Sequence, residues 1–114
     1  MGRPKWLGEE KSTRDRSYKQ EKRLAKKFGG RPTANSGARF GENDVKTDEY
    51  SIEAKTTGKK QFTIKQADLD LMEAKTPVGK IPLFAINFEQ SGKEYILLSQ
   101  NDFLTLTSGG ETIK

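Results

Sequence analysis

Four residues could do chemistry together by type and position: Glu21, Asp44, Glu53 and Lys55. Glu21 lies in the apolar stripe of a predicted helix, where a carboxylate is costly unless it is paired or binds a metal ion. Asp44 opens a predicted strand, and Glu53 and Lys55 share one face of the next strand because side chains alternate. A hairpin that sets Asp44 opposite Glu53 brings them roughly 5 Å apart. A buried Glu21 ion pair and an ordinary Glu53–Lys55 pair are the structural alternatives.

Such a cluster of oxygen ligands suits Mg²⁺, which typically takes one or two carboxylates together with phosphate oxygens of a substrate. Mn²⁺ can use the same ligands. A bound ion would polarise a scissile phosphate and orient a water molecule. Lys55, about 7 Å along the strand from Glu53, would reach the phosphate. These residues therefore predict phosphodiester hydrolysis.

The composition excludes several other chemistries. The 114 residues contain no Cys and no His, which rules out thiolate nucleophiles, disulfides, Cys/His zinc sites and Ser-His-Asp triads. No apolar run approaches a membrane span, and residues 1–11 lack the apolar stretch of a signal peptide. We therefore expect an intracellular protein that does not associate with a membrane.

The charge is unevenly distributed. Residues 1–40 contain twelve Lys/Arg and four Asp/Glu, a net charge of +8, whereas residues 41–114 contain nine and twelve, a net charge of −3. A basic half of this kind can bind a polyanion, and a solvated basic helix face is the alternative.

Hydrophobic periodicity and turn residues predict a single domain over residues 14–106, between a flexible basic arm (1–13) and a flexible tail (107–114). The predicted helices cover residues 14–28, 63–75 and 101–106. The predicted strands cover residues 44–47, 50–57, 81–88 and 94–98, and residues 31–43 form a long loop. The order α-β-β-α-β-β-α predicts an α/β fold with a mixed central sheet flanked by helices.

The second helix carries two predictions of its own. Thr63 and Gln66 have the spacing of a capping box. Leu69 and Met72 lie off the buried stripe, so they are candidates for a subunit contact or for the core. The predicted stripe itself consists of Ile64, Ala67, Leu71 and Ala74.

Asp44 followed by Glu53-Ala54-Lys55 resembles the split acidic motif of the PD-(D/E)XK nucleases, in which an Asp precedes (Asp or Glu)-X-Lys on the next strand. The wider pattern, over residues 14–75, is similar to the archaeal-type Holliday junction resolvases and their phage relatives. The elements that match are Glu21, Gly29-Gly30, Arg31, Ser36-Gly37, Asp44, Glu53-Ala54-Lys55 and Gln66. The resemblance implies a restriction-endonuclease-like fold.

The resemblance also implies roles. Asp44 and Glu53 would bind the metal, with the Ala54 carbonyl as a possible third ligand and Glu21 completing the cluster directly or through water. Lys55 would be the catalytic amine. Gln66 would line the site, although its capping role is an equal alternative. Three loop residues would act near the scissile phosphate: Ser36 in cleavage, and Arg31 or, as second choice, Arg39 as a phosphate clamp.

The partners implied are a four-way junction or other branched DNA and a second copy of the chain, since two symmetric nicks need two active sites. This activity belongs to DNA recombination and repair in a prokaryote or a phage-infected host. Leu69, Met72 and residues 103–106 are candidates for the dimer contact, with core closure as the alternative. Another PD-(D/E)XK endonuclease, of repair or restriction type, and a non-catalytic DNA-binding protein are the competing interpretations. Basic residues predicted to contact DNA are Arg3, Lys5, Arg14, Lys19, Lys59 and Lys60.

Overall fold

The computed structural model of the protein describes residues 5–33 and 41–108, with side chains described from Ser17 onward. Within these ranges the helices are α1 (Lys5–Phe28), α2 (Gln66–Ala74) and α3 (Gln100–Thr107). The strands are β1 (Arg31–Pro32), β2 (Val45–Lys46), β3 (Tyr50–Thr57), β4 (Ile81–Phe88) and β5 (Lys93–Leu97).

The strands form an open five-stranded sheet in the order β1-β2-β3-β4-β5. β3 and β4 are parallel, and every other neighbouring pair is antiparallel. Parallel neighbours need a crossover connection, which α2 supplies between β3 and β4. The predicted α/β class with a mixed sheet flanked by helices is confirmed, and so are the bounds of strands 50–57 and 81–88.

Alternation along β3 and β4 gives the sheet two faces. On the α1 face, Ile52 and Leu83 pack with Leu24 of α1 in one apolar cluster. On the α2 face, Phe84 packs with Met72 of α2 in a second cluster. Glu53 is the register partner of Phe84, and Lys55 that of Ile86, so both belong to the α2 face, as alternation predicts.

The end of α1 follows the predicted Gly-Gly stop. Gly29 has φ +73, and the Gly30 amide donates to the Ala25 carbonyl at 2.8 Å, which closes the last turn. A Cβ at Gly30 would collide with the Lys46 carbonyl oxygen, because the chain passes directly against β2 there. Strand β1 begins directly after this close contact with β2.

Several element boundaries differ from the prediction, and β2 (Val45–Lys46) and α2 (Gln66–Ala74) are shorter than predicted. α1 begins at Lys5 instead of at about residue 14, so residues 5–13 of the predicted arm continue the helix. Helices propagate readily from an existing helical segment, even without apolar periodicity, and five of these nine residues (Lys5, Leu7, Glu9, Glu10 and Lys11) are good helix formers. The predicted loop 31–43 begins with β1, which pairs with β2 and adds a strand to the predicted order. Pro32 is tolerated because β1 is an edge strand. β5 and α3 start one residue earlier than predicted.

The buried stripe predicted for the second helix is wrong. The N-cap is Lys65, which makes no side-chain capping bond, so the predicted capping box does not form. Residues 61–65 precede the helix, which places Ile64 outside it, and Leu71 is 48% exposed. Met72 is buried, and Leu69 packs in the same cluster. Both residues thus pack in the core of one chain, which is the alternative given for them from the sequence.

Helix α3 has no buried residue. Its N-cap is Ser99, whose hydroxyl accepts from the Asp102 amide at 3.1 Å. Phe103, Leu104 and Leu106 are exposed. Across the described parts of the chain, none of the helices combines the length and apolar character needed to cross a bilayer.

Candidate active site

The hairpin β2–β3 brings two acids opposite each other. Its register pairs Val45 with Ile52 and Lys46 with Ser51, and one further step outward sets Asp44 opposite Glu53. Oδ2 of Asp44 accepts a hydrogen bond from the Ala54 amide at 2.8 Å. This bond holds the Asp44 carboxylate against β3, beside the Glu53 position.

The turn of this hairpin has its own support. The Thr47 hydroxyl accepts from the amides of Glu49 and Tyr50 at 3.1 and 2.9 Å. The Thr47 amide donates to the Tyr50 carbonyl at 3.0 Å. A tight turn at 48–49 fixes the register, and the register decides that Asp44 meets Glu53 and not a neighbour.

Helix α1 is fixed beside the same strand by the buried Gln20. Its Nε2 donates to the Lys55 carbonyl and to Glu94 Oε2, both at 2.8 Å. Gln20 is followed directly by Glu21, which is half-buried. Burial, and then the nearby negative charges of Asp44 and Glu53, raise the pKa of Glu21 to about 7. The structure thus brings Glu21 into electrostatic contact with the other two acids.

Opposing interactions act on the pKa of Glu53, which is raised overall. Burial and the charge of Asp44 raise its pKa, while Lys55 and Lys75 act in the opposite direction. Lys55 Nζ lies 3.2 Å from Glu53 Oε2, so the same-face pair considered from the sequence is present. Removing the proton from either Glu21 or Glu53 adds charge to an already negative site.

A small cleft of about 50 Å³ lies beside Glu53 and Lys55, between β3 and α2. Helix α2 lines it with Asp68, Leu71, Met72 and Lys75. Gln66 lies outside this set, because it is exposed and its amide donates to Asp70 Oδ1 at 2.8 Å. The polar residues that α2 contributes to the cleft are therefore Asp68 and Lys75, which sequence reasoning missed.

Asn43 is a second residue that the sequence did not reveal. It is fully buried and lines the cleft. Its Nδ2, with two hydrogens to donate, lies within hydrogen-bond distance of three acceptors: Ser51 Oγ at 2.9 Å, the Met72 carbonyl at 3.0 Å and Thr76 Oγ1 at 3.1 Å. Its Oδ1 has no partner among the described residues. Asn43 connects the start of β2 to α2, and so positions the adjacent Asp44. In the sequence, the only sign of this role is that Asn43 directly precedes Asp44.

The remaining predicted residues are spread over the molecule. Lys19, Lys59 and Lys60 are exposed, the first on α1 and the other two in the turn after β3. Arg31 is exposed on β1 and lines a separate cleft of about 470 Å³ with Lys46 and Lys80. Residues outside the described part of the chain, or whose side chains are not described, are Arg3, Lys5, Arg14, Ser36 and Arg39.

Within the described ranges, no three or more acidic side chains are grouped so that they could hold a metal ion by themselves. No protein-family model matches the chain, and no curated protein matches it closely enough to indicate a relative.

Proposed function

We propose that this protein is a metal-dependent DNA endonuclease with a restriction-endonuclease-like fold and that it cuts four-way junctions. The observation that carries the proposal is the Asp44 carboxylate held against β3 by the Ala54 amide, next to Glu53, with Lys55 paired to Glu53 and Glu21 electrostatically coupled to both acids. DNA binding alone gains nothing from three electrostatically coupled acids, since they repel phosphate groups.

The donor set fits Mg²⁺ or Mn²⁺. Asp44 and Glu53 offer carboxylate oxygens on adjacent strands, which is the number of carboxylates that Mg²⁺ typically uses. Burial, and then repulsion from Asp44 and Glu53, raise the pKa of Glu21, and a bound cation would relieve the repulsion. When bound, the ion supplies Lewis acidity toward the phosphate and lowers the pKa of a coordinated water. Following the resemblance, the Ala54 carbonyl completes the set.

Lys55 and Glu21 contribute beyond metal binding. The Lys55 amine is oriented by its 3.2 Å contact with Glu53, and a positioned cation stabilises negative charge that develops on a phosphate during hydrolysis. Glu21, with a pKa of about 7, exchanges a proton near neutral pH. Its carboxylate can therefore become a ligand as the cation enters.

The substrate and the assembly rest on the resemblance to junction resolvases. Junction DNA is recognised through charge and shape, which the exposed Lys19, Lys59 and Lys60 can provide. Two symmetric nicks require two copies of the chain. We propose that the exposed apolar side chains of α3, Phe103, Leu104 and Leu106, form the dimer contact.

The test is cleavage of a labelled immobile four-way junction beside matched linear duplex, single-stranded and Y-shaped DNA, in Mg²⁺ and in EDTA. We expect paired symmetric nicks in the junction, in Mg²⁺ only. Similar cutting of all four DNAs would retain the nuclease chemistry and exclude junction selectivity. If none is cut, the protein is a non-catalytic DNA-binding protein.

The dimer is tested separately by sedimentation velocity. Leu104→Asp should convert a dimer to a monomer, because an ionised carboxylate cannot be buried in an apolar contact. Leu71→Asp, which changes an equally exposed leucine of α2, is the control. A monomeric unmodified protein would contradict the contact.

A further inference from the structure

A second cleft on the α2 side of the molecule lies away from the acids. It has a volume of about 520 Å³ and is open to solvent at the carboxyl ends of β3 and β4. Three lysines, Lys59, Lys60 and Lys93, line it together with the aromatic rings of Phe88 and Tyr95. We name this cleft the lysine–aromatic groove.

The groove and the acidic site share one face of the sheet. The register pairs Lys55 with Ile86, Ile86 with Tyr95, and Thr57 with Phe88. Since side chains alternate, Phe88 and Tyr95 belong to the α2 face with Glu53 and Lys55. The distance from Glu53 to the groove is four residues along the strand, or about 13 Å. That is the length of about four stacked nucleotides of one DNA strand.

Contacts within the protein itself hold the groove in shape. Gln90 Nε2 donates to the Gly58 carbonyl at 2.7 Å, which ties the lysine turn to the end of β4. Phe88 and Tyr95 form an edge-to-face pair with ring centroids 6.0 Å apart. Tyr95 nevertheless stays 54% exposed. A ring that is held in place and open to solvent is a stacking platform.

The alternation of side chains along β5 also decides which charged groups lie on the face of the groove. Glu94, between Lys93 and Tyr95, points to the α1 face, where its carboxylate accepts from Gln20 at 2.8 Å and from Arg23 at 3.3 Å. The lysines of the groove are thus left on a face without that carboxylate. Aromatic rings interleaved with lysines suit a nucleotide, because lysines attract phosphates and rings stack on bases.

We propose that the lysine–aromatic groove binds an unpaired nucleotide of the cleaved strand, with its base stacked on Tyr95 and its phosphates beside Lys59 and Lys93. The position of this nucleotide, within about four residues of the scissile phosphate, rests on the proposed nuclease function. A protein extrudes a base at lower cost where stacking is interrupted, as at a branch point, than within a continuous duplex. The groove would therefore favour branched DNA through a base that a linear duplex keeps paired.

The test compares two labelled 12-nucleotide strands in EDTA by fluorescence anisotropy: oligothymidylate and the same strand with abasic residues. Both carry the same phosphates, so only the bases differ. The protein should bind the intact strand about 5- to 140-fold more tightly, the range that corresponds to about 1–3 kcal/mol for stacking of one base on an aromatic ring. Tyr95→Ala should remove this preference, and Tyr95→Phe should keep it.

Tyr18→Ala is the matched control, because Tyr18 is 56% exposed and has a lysine, Lys22, 5.2 Å from its ring centroid. It should leave the preference unchanged. Lys93→Gln should weaken binding of both strands equally. Equal binding of the two strands by the unmodified protein, or a preference that survives Tyr95→Ala, overturns the proposal. Binding in EDTA requires no cleavage, so a preference without nuclease activity overturns only the proposed function.

Discussion

The two faces of the sheet differ in how completely a helix covers them. Helix α1 has 24 residues, about 36 Å, whereas α2 has nine, about 14 Å. The eight-residue strands β3 and β4 are about 26 Å long. α1 contacts β3 from Tyr50, which packs on Phe28, to Lys55, whose carbonyl accepts from Gln20, whereas α2 packs around Phe84 and Ile86 of β4. The cleft and the lysine–aromatic groove lie on the partly covered face, where polar side chains stay hydrated.

The same difference explains how each face treats its polar residues. On the α1 face the buried Gln20 is bonded to the sheet backbone and to Glu94. On the α2 face Glu53 and Lys55 pair beside an open cleft. A buried amide rigidifies the packing, while a half-buried ion pair remains accessible to a substrate. Helix α1 thus holds the sheet, while the α2 face leaves the Glu53–Lys55 ion pair accessible beside a cleft.

The largest effect expected is on cleavage. Glu53→Gln should lower the cleavage rate more than about 100-fold, since loss even of a group behind a metal ligand costs about 10- to 100-fold. Junction affinity, measured by gel shift in Ca²⁺, should not fall, because removing a negative charge weakens no phosphate contact. Glu94→Gln, a carboxylate of the α1 face, is the control and should still cut. Loss of binding together with cleavage would contradict the role given to Glu53.

Next in size is the effect on stability, with the same substitution on both faces. Leu24→Ala on α1 should lower the free energy of unfolding by about 3 kcal/mol, because Leu24 is 2% exposed in the core. Leu71→Ala on α2 should lower it by less than about 1 kcal/mol, since half of this side chain is in water. Urea denaturation measures both values. Equal losses would mean that the stripe predicted from sequence is buried after all.

A smaller effect is expected on DNA affinity. Replacing Lys59 and Lys60 together by alanine should weaken junction binding and reduce the slope of log affinity against log salt concentration by about 2. The matched pair is Lys26 and Lys27 at the end of α1, also exposed. Titrations at several salt concentrations compare the two double variants. If both double variants change the slope equally, DNA does not bind preferentially to the surface that carries Lys59 and Lys60.

The smallest effect expected is a pH dependence of stability. The pKa of Glu21 is about 7 in the folded chain and about 4.5 when unperturbed, so the folded state binds more protons between these values and loses stability as pH rises through them. Glu21→Gln removes this loss. Its melting temperature in EDTA should therefore exceed that of the unmodified protein increasingly from pH 5 to pH 8. A difference that does not change with pH would exclude a perturbed Glu21.

Divalent cation provides the companion measurement. Mg²⁺ binding requires ionised carboxylates, so it should raise the melting temperature of the unmodified protein more at pH 8 than at pH 5. In Glu53→Gln the increase should be smaller at both values. An equal increase in the two proteins would remove Glu53 from the cation site.

Strands were easier to predict than the second helix. β3 and β4 are apolar or strictly alternating runs bounded by turn residues, and their bounds matched. In α2 the spacing favoured Ile64 and Leu71, but the helix starts after Ile64 and packs through Met72. A short helix with apolar residues on several sides has no single stripe, so the contact with Phe84 decides which side is buried.

The residues of the candidate site also differ in whether the sequence could predict them. Glu21, Asp44, Glu53 and Lys55 could be selected from residue type and spacing. Asn43, which anchors the start of β2, and Lys75, which lies near Glu53, could not. Their partners are far away in the chain, and no local pattern signals a contact between such distant residues.

The sequence by itself determined which side chains share a face of each strand, where the hairpin turns, and where α1 ends. These features follow from backbone geometry within a few residues, since alternation and the glycine stop are local. Only the tertiary structure decided which face α2 covers, how much of it stays open, and how strongly Glu21 holds its proton. Those properties depend on burial and on charges brought together from distant parts of the chain, which only packing specifies.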